Sequence, residues 1–410
     1  MLGRCSCGRV FDRAVFVTLI SAHRRRLGGL IMWIVPLLLL ALATASPATE
    51  KRGVPGVRGA HLRRIPTVQS SDGRLDVTLH VEAARRVLPH GVSFVTRTYN
   101  SSVPGPTLVV RPGDRVSITL SNRLESNSPQ PGDDAPLNRF RSANSTNLHV
   151  HGIYDSPEHD NTFVAVDPGC SRTWHYTIDS GSGSQLLFYH PHFDGSQALQ
   201  LFGGMHGAFV VVNPAHEALF AEWDTILLLL QAIDLDNIQK GSLMDSHVSS
   251  LPVDLENPLK LEGLMLLSNE QLAPRMPLKA GTPVRLRLVN AIAGAPNMLC
   301  VALQTGNLPA HPAAQSSSAS DAQADHRHPR TRGEGGGGRT ESRDAENLPD
   351  CTIDVLALDG IFLDEPRRQE YVLIPPGGRV ELAVRCAKLK LNGPVELVTT
   401  SHQRTGSLNP

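Results

Sequence analysis

One strand-forming stretch occurs twice in this chain, and that repetition limits the folds open to it. Around Gly113 the sequence reads RPGDRVSITLSN, and around Gly281 it reads KAGTPVRLRLVN. Gly113, Val116, Ile118, Leu120 and Asn122 align without a gap to Gly281, Val284, Leu286, Leu288 and Asn290, 168 positions further on. Each copy sets a turn glycine ahead of a strict apolar/polar alternation, the period of a half-buried β-strand. Self-similarity of this kind is the mark of a duplicated β-unit. A second pair, PGCSRTWHYTI from Pro168 and PGGRVELAV from Pro376, repeats at an offset of 208.

The two offsets differ by 40, so about that many residues were added inside the second copy. Asn307 to Pro349 fits the surplus, with a Ser/Ala/Gln tract, His326 and His328, the run Gly335–Gly338 and almost no large aliphatics. Such a composition cannot bury a core, which predicts a disordered surface loop over 307–349. The alternative is untranslated sequence retained in the chain. Leu75–Val81, Val92–Tyr99, Gly207–Val212 and Arg379–Arg385 read as further short strands between Pro/Gly/Asn/Asp clusters. With 35 Gly, 30 Pro and no sustained heptad, the fold class is all-β, of the sandwich or barrel kind. The repeats place two domains at 71–214 and 222–410.

Charge and targeting signals narrow the function. The 410 residues carry 39 basic and 39 acidic side chains and no long basic run, which argues against a general nucleic-acid binder. Leu30–Ala43 is an unbroken apolar run preceded by Arg24, Arg25 and Arg26 and followed by Thr44, Ala45, Ser46 and Ala48. This predicts a leader and secretory signal over 1–46, then a polar linker over 47–70. The run is short of the roughly 18–20 residues of a membrane span, although a retained signal anchor is the alternative. Cys5 and Cys7 precede the signal, leaving Cys170, Cys300, Cys351 and Cys386. Three disulfide pairings are open to these four, and Cys300–Cys351 would tie the two sides of the insert. The competing reading is four buried thiols.

Three H-x-H pairs occur: His149/His151, His190/His192 and His326/His328. Seventeen histidines in 410 residues give roughly 0.7 such pairs by chance, so context decides. The third pair sits in the polar insert and reads as solvated filler. The first two lie in strand-like runs, STNLHVHG and LLFYHPHFDG, where i and i+2 share a face about 6.5–7 Å apart. If the two strands lie side by side, four imidazoles converge. An all-imidazole set favours copper or zinc, and the lack of nearby Cys or carboxylate ligands argues against a structural zinc site.

LHVHG, then FYHPHFDG, then GGMHGAFVV resemble the first domain of the multicopper oxidases, of the laccase-like kind. VPGPTLVVRPGD from Val103, SPEHDNTFVAVDPG from Ser156, RLRLVNA from Arg285 and VLALDGIFL from Val355 extend the resemblance over about residues 90–400. The resemblance implies two tandem cupredoxin-like Greek-key domains, a blue type 1 copper that takes electrons from substrate, and a trinuclear copper cluster that reduces dioxygen to water. It implies His149 as the type 2 ligand, and His151, His190 and His192 as ligands of the type 3 pair. The family's proton-relay acid falls on Asp160, and a carboxylate there also suits imidazoles that need orienting partners. The competing reading of Asp160 is a turn former.

The sequence departs from the family pattern in three places. Val150 replaces the usual Trp between the first histidines, and Asp194 stands where many members carry His. The H-P-x-H-x-H and H-C-H-x-x-x-H motifs of the family's third domain are not found in these 410 residues. Cys386, in VRCAKL, has no histidine beside it, so the type 1 site is not expected here. The reading that follows is the copper-binding portion of a multicopper oxidase, truncated and inactive alone. Its partners would be dioxygen, a reducing substrate (a phenol, an amine or a metal ion) and a missing third cupredoxin domain. The alternative is a non-catalytic copper-binding or structural cupredoxin protein.

Overall fold

The computed structural model describes residues 14–21, 60–88, 91–127, 142–244, 264–278, 281–292, 299–305, 351–386 and 395–401. Strands dominate, as expected for an all-β chain. In the first sandwich one sheet runs in the order β2 (Thr67–Gln69), β5 (Thr107–Val110), β10 (Gly207–Val211), β9 (Gln185–His190), β7 (His149–His151). The facing sheet runs β4 (Ser93–Tyr99), β3 (Arg74–Val87), β6 (Arg115–Asn122), β8 (Ser171–Thr177). In the second sandwich one sheet is ordered β12 (Leu264–Ser268), β11 (Asp224–Asp234), β14 (Val284–Asn290), β19 (Arg379–Cys386), β16 (Cys351–Leu358), β17 (Ile361–Gln369). Its partner sheet is β13 (Arg275–Leu278), β1 (Ala14–Ser21), β20 (Val395–Ser401), β15 (Leu299–Thr305), β18 (Tyr371–Ile374). β1 thus falls within the segment read as a leader. The apolar run Leu30–Ala43, the insert with His326 and His328, and the side chain of Cys300 lie outside the described residues.

The alternation seen in the sequence becomes burial. Val116, Ile118 and Leu120 of β6 point into one core with Leu75, Leu79, Trp174, Tyr189 and Phe209. Leu286 and Leu288 of β14 point into another with Leu230, Ile353, Leu382 and Val384. The repeat extends to single hydrogen bonds. In the first copy the Gly169 N–H donates to Asn122 O (2.8 Å) and the Asn122 N–H donates to Cys170 O (2.9 Å). In the second the Gly377 N–H donates to Asn290 O (2.9 Å) and the Asn290 N–H donates to Gly378 O (3.0 Å). The Asn122 and Asn290 side chains each accept the N–H two residues on, that of Leu124 and that of Ile292. The turn glycines Gly113 and Gly281 both have positive φ, +88° and +76°, a conformation that costs glycine least.

Strands β9 and β10 are apolar on both faces. Leu187 and Tyr189 of β9 enter the first core, whereas Leu186 and Phe188 pack with Val289, Leu229 and Ala291 of the second sandwich. β9 is therefore apolar on both faces, which accounts for the unbroken run LLFY at 186–189.

The structure corrects the expected disulfide. Cys351 bonds Cys386, its register partner across β16 and β19, and not Cys300. Antiparallel pairing places these two opposite one another, a constraint that sequence spacing does not carry. Cys170 is a free thiol and exposed, so the reading of four buried thiols also falls.

Candidate metal centre

Antiparallel pairing of β7 with β9 sets His149 opposite His190, Val150 opposite Tyr189 and His151 opposite Phe188. Val150 and Tyr189 turn into the core, so the histidines share the other face. His192 follows Pro191 just beyond the end of β9, and its N–H donates to Asn147 Oδ1 at 2.6 Å. Asn147 is anchored in turn, donating to Thr162 O at 2.7 Å. The four rings gather: the His149 centroid lies 5.6 Å from His151, 5.2 Å from His190 and 5.1 Å from His192. His151, His149 and His190 each offer a ring nitrogen within 4.8 Å of the others. Side chains that lean together have closed the wider spacing a flat strand would give.

Hydrogen bonds decide which nitrogen each ring presents. Asp160 Oδ2 accepts from His149 Nδ1 at 2.5 Å, leaving Nε2 with its lone pair free. His190 Nδ1 donates to Pro191 O at 2.9 Å, so its Nε2 keeps the lone pair, which accepts a 3.4 Å hydrogen bond from His151 Nδ1. The Phe188 ring stacks on both His151 (4.9 Å) and His190 (4.8 Å). Asp160 is no loose turn residue. Its Oδ1 accepts from the Val150 N–H at 3.2 Å and the Tyr176 hydroxyl at 3.0 Å.

Burial and charge disfavour a proton on His151, His190 and His192. Burial, then the positive charge of Arg379, push His151 down to about 4. Burial holds His190 well below the ordinary histidine value and lowers His192 as well. For Asp160, burial pushes upward, but the His149 hydrogen bond and charge with the Val150 and Tyr176 contacts prevail, and the carboxyl lies below its usual range. Unprotonated rings are what metal ligation requires, and the nitrogen donor set with an oriented outer carboxylate suits copper.

Asp194 is exposed in the turn that precedes helix α1 (Gln197–Phe202), on the surface of the molecule. Cys386 is spent in the disulfide and so cannot be a thiolate ligand. Sequence reasoning passed over Asn147, Tyr176 and Phe188. Asn147 and Phe188 sit inside the same two motifs, but Tyr176 comes from β8 and carries no local signal.

The family model described as multicopper oxidase matches residues 136–216, a stretch that contains all four histidines and Asp160. A multicopper oxidase of Oryza sativa subsp. japonica (LPR1 homolog 1) is 29% identical over 183 residues, covering 41% of this chain and 31% of that protein. Laccase-1 of Botryotinia fuckeliana is 29% identical over 181 residues, covering 43% of this chain and 26% of that one. Among solved structures, the multicopper oxidase of Campylobacter jejuni superposes with a TM-score of 0.58 at 19% identity, over 86% of this chain and 59% of that one. The laccase-like CueO of Ochrobactrum sp. gives 0.54 at 21% identity, over 80% and 57%. The matches therefore span less than a third of these two curated relatives and about three fifths of the solved chains.

Proposed function

We propose that this chain is a member of the multicopper oxidase family and that His149, His151, His190 and His192 form one half of its trinuclear copper site. The carrying observation is the β7–β9 register, which brings ring nitrogens of His149, His151 and His190 within 4.8 Å of one another, with His192 beside them. His149 would take the type 2 copper, and His151, His190 and His192 would take the type 3 pair. Bound copper would supply the one-electron chemistry that couples oxidation of a phenol, amine or metal ion to reduction of dioxygen to water. The chain's own residues orient and protonate. Asp160 fixes the His149 tautomer through Nδ1, and its second oxygen, in contact with Tyr176, makes a short path along which a proton can be held near the cluster.

The other ligands would come from a third cupredoxin unit, and this chain alone would not turn over as an oxidase. A secreted location fits the apolar run at 30–43 and copper chemistry outside the cell. A second reading, a non-catalytic copper-binding protein, is favoured by the placement of Cys386 in a disulfide.

Titration of the metal-free chain with Cu(II), followed by electron paramagnetic resonance and by oxygen uptake, tests both. We expect one or two coppers bound, no intense thiolate-to-copper absorption, and no oxygen uptake by the isolated chain. His190→Ala should abolish binding. Asp160→Asn should weaken it roughly 10–100-fold, the usual effect of removing an orienting partner. A wild-type chain that takes up no copper at micromolar protein would sink the proposal. Blue colour or oxygen uptake by this chain would instead overturn its half-site form.

A further inference from the structure

We propose that the second sandwich supplies a clamp, built from Arg379 and Gly377, that positions His151 and the ends of the two histidine-bearing strands from behind. The inference rests on reading the four histidines as a copper half-site.

Arg379 begins β19 in the second sandwich, yet it lies 5% exposed against the first. Its guanidinium binds backbone oxygens of three separate segments. Nε donates to Leu186 O of β9 at 3.3 Å, Nη1 to Gly377 O at 2.9 Å and Nη2 to Asp359 O at 2.9 Å. The Asp359 carboxylate adds a contact to Nη1 at 3.2 Å. Gly152, the residue after His151, lies directly against Nη2, and a side chain there would displace the guanidinium. One cation thus gathers β9, the end of β7, the Asp359–Gly360 hairpin tip and the turn at 375–378.

Gly377 completes the contact. A Cβ built on it would stand 2.8 Å from His151 Cε1 and 3.4 Å from both ring nitrogens, so the bare backbone is the wall on which this imidazole rests. With Phe188 stacked on the same ring, few orientations remain, and the one adopted turns Nδ1 toward His190. Lysine could not replace the arginine, because a single ammonium cannot reach three diverging carbonyls as a planar fork does.

The internal repeat provides the control. Gly169 is the counterpart of Gly377, with φ +83° against +74° and the same turn hydrogen bond, but a Cβ there meets nothing within 4 Å. Gly169→Ala and Gly377→Ala therefore carry the same backbone strain, and only the second presses on His151.

The experiment uses the full chain as wild type, Gly169→Ala, Gly377→Ala, Arg379→Lys and Arg379→Ala. Histidine-ring NMR signals of the metal-free proteins, Cu(II) affinity and thermal unfolding are read in parallel. Gly377→Ala and Arg379→Lys should displace the His151 and His190 ring signals and weaken Cu(II) binding roughly 10–100-fold. Gly169→Ala should change only the unfolding temperature, through backbone strain alone. Ring signals and affinities in Gly377→Ala and Arg379→Lys equal to those of Gly169→Ala would overturn the clamp. If wild type binds no copper, the copper reading fails, while the ring signals still decide the clamp. If Arg379→Ala does not fold, the two glycine variants decide it.

Discussion

The two sandwiches share a hydrogen-bonded frame and use equivalent positions in opposite ways. On β6, Thr119 faces Thr173 of β8, and their hydroxyls meet at 2.8 Å on an exposed surface. The counterparts on β14 and β19 are Arg287 and Glu381, again in register but buried. Arg285 beside them is fully buried, its Nε donating to Glu381 at 2.6 Å and its Nη1 to Glu217 at 2.8 Å. Phe220 and Phe362 flank that guanidinium, with the Phe220 centroid 4.1 Å from Cζ. Glu217 ends helix α2 (Pro214–Glu217) in the segment joining the sandwiches. The duplicated sheet face that meets solvent in the first copy has thus become, in the second, an internal seam closed by the linker. Likewise Ser171 is exposed where its counterpart Arg379 is buried behind the histidines. The first copy carries the clustered histidines, and the second carries the arginine packed behind them.

The sharpest way to break this comparison is to remove Glu381. Glu381→Ala leaves Arg285 buried with one partner fewer, and stranding half of such a buried pair costs about 3–5 kcal/mol. Chemical denaturation should show that loss in the second sandwich. A change within 1 kcal/mol of zero would mean that the seam is solvated and the comparison drawn wrongly.

Next in size is the disulfide. Cys386→Ser opens a link that spans 35 residues of the second sandwich, and should cost about 2–4 kcal/mol there while sparing the first. Peptide mapping of the unreduced protein checks the pairing itself. Recovery of Cys300 bonded to Cys351 would rule out the Cys351–Cys386 bond.

Acid should separate the two sandwiches in the other direction. His151 is held down to about 4 and His206, fully buried, to about 3, in both cases by burial first. An unfolded histidine titrates near 6.5. As pH falls from about 6.5 toward these folded values, the unfolded chain therefore binds more protons than the native one, and stability drops. Asp160 adds to the loss lower down, since its depressed carboxyl contributes stability only above its unfolded value and surrenders it as pH falls further. All three groups sit in the first sandwich, so hydrogen exchange should show its strands opening before those of the second as the solution is acidified. Simultaneous opening would show that the seam, and not the histidines, limits acid stability.

Much of this was legible in the residues, for identifiable reasons. A period of two and a turn glycine are local, so β6 and β14 and their kinship could be read directly. The H-x-H pairs were legible because i and i+2 share a strand face, and Asp160 only through the family resemblance. What escaped came from distant chain segments meeting in space. Tyr176 reaches Asp160 from β8, a strand of the other sheet from the one that carries the histidines. Arg379 reaches Gly152 only because β19 abuts β9, and nothing in PGGRVELAV distinguishes an arginine in solvent from one in a seam. Cys351–Cys386 depended on strand register, which spacing alone could not choose among three pairings.

The smallest predicted effect tests whether the exposed face of the first copy is as inert as it looks. Thr119→Ala removes one hydroxyl from an exposed cross-strand pair, and pairs of this kind contribute about 0.2–1 kcal/mol. The change should fall in that range, and copper affinity should stay at the wild-type value, because β6 and β8 present this face away from the histidines. Glu381 on the equivalent face should cost several times more. That ratio measures how far the copies have diverged. If Thr119→Ala instead proves as costly as Glu381→Ala, the exposed face of the first sandwich must be covered in solution, and the two copies would be alike in having a buried outer sheet.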